Sequence, residues 1–294
     1  MSTRESNRIE VIKTWKLYIG GAFPRSESGR TMDVRDKSDQ LVAHVCRASR
    51  KDLRDAVEKA TAAASGWASR SGYNRGQILY RMAEMAEGRR EELVHSICQS
   101  GQYTLAQARR ETNASIDRLV SIAGWTDKVE QVLGCRNPVA GPYHNMSIPE
   151  PMGVVGIIAP RSAPLLGLIS MLAPAIATGN TVVALGSETC PLPTVLLGEI
   201  CATSDVPAGV VNLLTGDLKE LLPHIANHRG FRAIAAAGLA AKARKELQIG
   251  GIDGLIRIHP SMDTHSFDDD DYWHSPRALT PFVETKTLWH PVGA

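Results

Sequence analysis

The sequence predicts an α/β fold: a doubly wound, mostly parallel sheet with helices on its amino-terminal side and a separate β-ribbon. Three observations carry this expectation. From Val154 onward, continuous apolar runs ("VVGIIA", "NTVVALG", "AGVVNLLTG") alternate with helical stretches, as strands covered on both faces require. Between Ser49 and Val132, apolar residues recur at helical spacing. Pro and Gly then accumulate among short extended pieces in "GCRNPVAGPYHNMSIPEPMG", and an alternating "VETKTLW" closes the chain.

Taken in order, Trp15–Phe23 alternates β-favouring residues and turns on Gly20-Gly21, which predicts a short hairpin. Ser49, with Asp52 three residues on, caps a helix whose stripe is Leu53, Ala56, Val57, Ala60 and Ala64. A second helix is expected from about Arg75 to Cys98 on Ile78, Leu79, Met82, Met85 and Ala86, the methionines serving as core filler. A third covers Leu105 to Val132 and buries Ile116, Leu119, Val120 and Ile122. In the parallel core, "LLGLISMLAPAIATG", "TVLLGEICATS" and "KELLPHIANH" read as helices and "FRAIAAAG" as a weak strand. After Ile258 the chain turns polar, acidic and aperiodic. Asp268–Asp271 reads as a solvated loop, because consecutive carboxylates cannot all converge on a cation. The expected division is a helical part at 1–137, ribbon strands at 138–152, the parallel core at 153–258, and a polar loop with a terminal strand at 259–294.

The 294 residues can bury a substantial core. Lys plus Arg number 33 and Asp plus Glu 31, a formal charge of +2 with no basic block among aromatics, so nucleic acid is not an expected partner. The opening "MSTRESNRIEVIK" lacks the apolar core of a signal peptide, and no apolar run is long enough to span a bilayer. A cytoplasmic protein without a membrane partner is expected. Cys46, Cys98, Cys135, Cys190 and Cys201 are scattered and lack close pairing, which predicts reduced, buried or partly buried thiols and no metal site. His224, His228, His259 and His274 belong to no constellation at motif spacing and read as surface or satisfied polar residues.

The strings "LYIGG", "GVVGIIAP", "LAPAIATGNTVV", "VPAGVVNLLTG" and "VETKTLW", in that order and spacing, resemble the aldehyde dehydrogenase superfamily over most of the chain. The resemblance implies an NAD(P)-binding α/β domain without a G-x-G-x-x-G fingerprint, a second domain carrying a nucleophilic cysteine, and a ribbon through which subunits pair. In an active member a thiolate attacks the aldehyde carbonyl, and an amide side chain and a peptide N–H hold the oxyanion. Hydride passes to nicotinamide, and a carboxylate activates water for deacylation.

Matched role by role, the family's Pro-Trp-Asn stands here as Pro160-Arg161-Ser162, so a Ser162 hydroxyl replaces the oxyanion amide. Losing one such donor costs about a hundred- to a thousandfold in rate. Met171 stands where a lysine is usual, and Lys-Pro-Ser-Glu becomes Leu185-Gly186-Ser187-Glu188, leaving Glu188 as a ribose acceptor without its lysine. Gly216 and Gly238 remain where the backbone would approach the cofactor. Leu218 and Leu222 replace small residues, and Phe-Thr-Gly-Ser reads Ala236-Ala237-Gly238-Leu239. The general-base Glu-Leu-Gly-Gly becomes Gln248-Ile249-Gly250-Gly251, an amide that cannot take a proton from water at neutral pH. No G-Q-x-C motif occurs beyond it, and all five cysteines precede Gly238.

Pro160, Glu188, Gly216 and Gly238 thus form a vestigial cofactor set, with no catalytic residue assigned. No cofactor is expected unless that pocket still binds NAD or NADP. The implied role is that of a non-catalytic subunit or scaffold resembling the degenerate second copy of family-sixteen aldehyde dehydrogenases. Its expected partner is a full-length aldehyde dehydrogenase subunit, with homo-oligomerisation as well. The alternatives are a residual NAD(P)-dependent oxidoreductase acting on aldehyde or oxo groups, a nucleotide-sensing subunit, and an unrelated α/β fold.

Overall fold

Tight local chemistry sets the first elements of the computed structural model, which describes residues 11–293. The polar residues 1–10, which contribute to the reading against a signal peptide, lie outside the described residues. Strands β1 (Thr14–Trp15), β2 (Thr31–Arg35) and β3 (Leu41–Cys46) form a small sheet in the order β1-β3-β2. The expected hairpin is only a turn. Ile19 and Ala22 exchange both peptide hydrogen bonds across Gly20-Gly21, whose φ values of 60° and 78° suit glycine. The flanking residues pair elsewhere, Tyr18 with Leu213 and Trp15 with Val45.

Ser49 caps α1 (Arg50–Ala68) in a full capping box with Asp52. The single helix expected from Arg75 to Cys98 is two, α2 (Gly72–Gly88) and α3 (Arg90–Cys98). Arg89, at φ −112° and ψ 20°, leaves helical geometry between them and donates to Glu199 at 2.6 Å. Likewise the third helix stops early: α4 (Leu105–Ala123) ends at Gly124, and α5 (Val129–Leu133) comes next as a short turn.

The ribbon begins before the expected boundary at 138. Strand β4 (Cys135–Asn137) already pairs antiparallel with β5 (Tyr143–Pro151), Cys135 opposite Ser147. The core then alternates β6 (Val154–Ile158), α6 (Leu166–Ala177), β7 (Thr181–Leu185), α7 (Leu192–Ala202), β8 (Val211–Leu214), α8 (Leu218–Ala226), β9 (Ala233–Ala236), α9 (Ala241–Gly250) and β10 (Arg257–His259). All neighbouring strands of this sheet are parallel, in the order β10-β9-β6-β7-β8. The chain winds from β6 outward to β8, then crosses back to lay β9 on the other side of β6. The topological switch therefore lies between β6 and β9, where open α/β sheets place their ligand crevice. Strand residues alternate between two cores: Val155 and Ile157 join the cluster built on α2, α4 and α6, and Val154 and Ile158 join the one built on α1, α8 and α9.

After β10 the polar segment is docked, not a free loop. Its sparse apolar residues Met262, Phe267, Trp273, Leu279 and Phe282 are all buried, and α10 (Asp270–Trp273) lies among them. Asp270 is exposed, as expected, yet also accepts a 3.0 Å bond from Arg118, a fully buried arginine on α4 that also donates to Ser170 and to the Phe267 carbonyl. Strand β11 (Val283–Pro291) then pairs with β5 along its whole length, giving a three-stranded ribbon β11-β5-β4. Buried Asn180 ties these parts together: its Oδ1 accepts from Met152 and Gly153, and its Nδ2 donates to the Phe282 carbonyl at 2.8 Å.

Candidate functional site

At the carboxyl ends of β6 and β9 the backbone passes through Pro160, Arg161 and Ser162 on one side and Gly238 on the other. Gly238 has φ 68°, and a Cβ placed there would sit 3.4 Å from Pro160, so these two positions are packed against each other at the switch. Beside them opens a cleft of about 630 Å³ lined by Arg161, Glu188, Leu218, Leu222, Ala240 and Lys242, among others. Leu218 and Leu222 stand in it as the sequence led us to expect.

Glu188 reaches this cleft, but its carboxylate is occupied. Arg161 Nη2 donates to Glu188 Oε2 at 2.6 Å, and the Tyr103 hydroxyl fixes the arginine's backbone by donating to its carbonyl at 2.9 Å. The Arg161 side chain is 65% exposed, so the ion pair is worth no more than about 1 kcal/mol. The Gly238 peptide N–H, in the loop between β9 and α9, is also taken: Asp263 Oδ2 accepts it at 3.0 Å. Gly216 does not join the cleft. It is buried, and a Cβ there would come within 3.1 Å of Leu221 Cδ1. Gln248 stands exposed in the last turn of α9, and Met171 is wholly buried in α6.

Ser162 lines a smaller cavity of about 290 Å³ with Tyr103, Arg110, Glu111 and Asp268. Sequence reasoning did not single out Glu111, which lies on the inner face of α4. Its Oε1 accepts from the peptide N–H groups of Leu165 and Leu166 at 2.8 and 3.1 Å and so serves the head of α6. Burial pushes the Glu111 carboxyl up from the ordinary range, the two N–H bonds work against that, and Asp268 adds to it. Asp263 was missed as well. It carries no periodic or motif signal and meets Gly238 only through the fold.

The cysteines do not gather at either cavity. Burial pushes the Cys190 and Cys201 thiols up to about 12, while Cys135, expected to be buried, is exposed on β4, where it donates to Asn137. The His259 Nε2 is buried without a hydrogen-bond partner, against the expectation of a satisfied side chain, whereas the His274 Nε2 lies 3.4 Å from Asp270 Oδ1. Among the described residues no cluster of three His, Cys, Asp or Glu side chains is placed to hold a metal ion.

The sequence pattern of the aldehyde dehydrogenase family matches residues 23–254. The chain belongs to the aldehyde dehydrogenase family. Human cytosolic 10-formyltetrahydrofolate dehydrogenase is 32% identical over 264 residues, covering 86% of this chain and 28% of that protein. Mouse retinal dehydrogenase 2 is 32% identical over 252 residues, covering 84% and 48%. Among solved structures, an NAD+ complex of aldehyde dehydrogenase from Bacillus cereus superposes with a TM-score of 0.79 at 27% identity, over 83% of this chain and 50% of that one. PnpE from Pseudomonas sp. WBC-3 gives 0.79 at 29% identity. This aldehyde dehydrogenase-family chain thus spans about half the length of the retinal dehydrogenase and of the solved structures, and just over a quarter of the 10-formyltetrahydrofolate dehydrogenase. No helix among the described residues is long and apolar enough to cross a membrane.

Proposed function

We propose that this chain is a non-catalytic subunit of aldehyde dehydrogenase type, which pairs through its β-ribbon with a complete aldehyde dehydrogenase and does not itself hold NAD(P). The observation that carries the reading is the Arg161–Glu188 pair, in which the carboxylate matched to a ribose acceptor is bonded to a cation of the chain itself. The residues present do not fit a dinucleotide. A sugar hydroxyl would have to displace a charge-assisted bond, the Gly238 N–H is already held by Asp263, and Leu218 and Leu222 offer a phosphate no donor. Ser162 and Gln248, in the oxyanion and base positions, add no group able to replace what the family uses there.

The ribbon supports the pairing half of the reading. Strand β11 is an open edge whose residues beyond Val283 are all exposed, and with Tyr143 it presents Leu288 and Trp289 to solvent. An unpaired edge carrying an aromatic pair is suited to strand addition or face-to-face packing with another subunit. We place the complex in the cytoplasm, in keeping with relatives named cytosolic. Co-expression with a complete aldehyde dehydrogenase of the same cell, followed by size-exclusion chromatography, tests the proposal. A co-eluting mixed species is expected, and separate elution at micromolar concentration would refute it.

A further inference from the structure

The solvent side of α9 leads to an apolar tip that neither the cleft nor the ribbon uses. Ala243 and Leu247 turn inward to the core, and Lys242, Lys245 and Ile249 share the opposite face of the helix. Both lysines are exposed, and Ile249 is 57% exposed. Past the helix the chain continues in tight turns. Ile252 donates its peptide N–H to the Ile249 carbonyl at 3.2 Å, and Leu255 donates to the Ile252 carbonyl at 3.1 Å. Ile252 is 64% exposed and Leu255 89%, so three bare aliphatic side chains follow one another along a single run of turns. Leu255 also has φ 51°, in the left-handed region where a bulky side chain is strained. A glycine would relieve that strain, yet the position holds the most exposed large apolar side chain among the described residues.

The charge around this tip is as uneven as its polarity. Residues 228–257 hold six Lys and Arg against two carboxylates, Glu246 and Asp253, whereas the whole chain carries only +2. Arg257 pairs with Glu284, but among the described residues Arg229, Arg232, Lys242 and Lys245 pair with no carboxylate. The fold brings the two arginines to the same end of the sheet. The Arg232 carbonyl accepts from the peptide N–H of Arg257, two residues past Leu255, and the Gly250 backbone lies against Ala226 so closely that a Cβ there would come within 2.6 Å.

We infer that this tip docks on an anionic membrane surface: Ile249, Ile252 and Leu255 enter the headgroup layer while Lys242, Lys245, Arg229 and Arg232 lie against lipid phosphates. Charge and area identify the occupant. Aliphatic side chains flanked by unpaired cations complement an anionic bilayer, which attracts each nearby Lys or Arg and takes up apolar groups at its boundary. Three side chains on a turn offer far less than the roughly 800 Å² that each partner buries in a standard protein interface. The expectation of no membrane partner rested on the lack of a spanning run, which does not bear on a surface contact. The inference is independent of pairing through the ribbon.

The test is flotation of the full chain with vesicles of phosphatidylcholine containing about a third phosphatidylserine, and with vesicles of phosphatidylcholine alone. Wild type at micromolar concentration is expected to float with the anionic vesicles, and at least about fivefold less with the neutral ones or in high salt. Leu255→Gly removes the apolar side chain and relieves the left-handed strain. It should bind at least about tenfold more weakly, with a urea midpoint no lower than that of wild type. Lys245→Gln should lose about fivefold on anionic vesicles and nothing on neutral ones. Failure of wild type to float with anionic vesicles would overturn the inference, and so would flotation of Leu255→Gly equal to wild type. A dimer mass, or co-elution with a complete aldehyde dehydrogenase, that Leu255→Gly abolishes in a chain that does not float would give the tip to a protein partner and overturn it as well.

Discussion

Glu111 joins α4 to the head of α6 through two peptide N–H groups, and truncating it leaves both buried donors unpaired. Glu111→Ala is therefore expected to cost about 1–3 kcal/mol, read as a lower urea midpoint, whereas Glu111→Gln keeps an acceptor and should lose much less. Burial acts on His259 in the opposite sense: it holds the imidazole below its ordinary 6.5, with Arg257 adding to the effect and the Pro281 backbone opposing it. The unfolded chain takes up this proton as pH falls through about 6.5, while the folded chain does not until lower pH. His259 thus contributes stability that is present above that value and lost below it. The wild-type urea midpoint should fall between about pH 7.5 and 5.5, and less steeply in His259→Gln; equal slopes would refute this role. At this scale the sequence supplied identities better than relations. Arg161, Ser162, Met171 and Gln248 stood out as misfits, but the Arg161–Glu188 bond crosses from the β6 loop to the β7 loop, and Asp263 reaches Gly238 from 25 residues away. No local pattern carries either contact.

Among the elements, the ribbon holds the most exposed apolar surface tied to the proposed role. Trp289 is 60% exposed, and its ring meets Tyr143 edge-on at 5.8 Å between centroids. Replacing it with Asp should leave the unfolding midpoint of the isolated chain within about 0.5 kcal/mol of wild type, as for an exposed position, yet sharply reduce association with the complete enzyme on size-exclusion chromatography. Unchanged association would remove the ribbon from the interface. Continuous apolar strands and amphipathic helices were legible because burial on both faces, or on one stripe, leaves a strong period. Strands β2 and β3 were not, since a short two-faced strand such as "TMDVR" puts only alternate residues inward. The breaks at Arg89 and Gly124 also escaped notice, because apolar spacing continues across both while the backbone does not.

For the molecule as a whole, the segment after β10 is packed onto the parallel core. Six residues from Met262 to Phe282 are buried within a stretch that reads as polar, among them Trp273 at 0% exposure, and Arg118 supplies a buried cation to anchor it. Apolar residues spaced irregularly along an acidic segment give no period, so docking on α4 and α6 was not legible even though the flanking ribbon strand was. Arg161 and Glu188 pair beside the cleft, and the outer edge of the ribbon is exposed. The most direct test is the mass, by light scattering, of the chain purified with and without a co-expressed complete aldehyde dehydrogenase. A stable mixed complex whose mass includes both chains is the expected result. A well-folded species that keeps the same mass in both preparations would contradict the account.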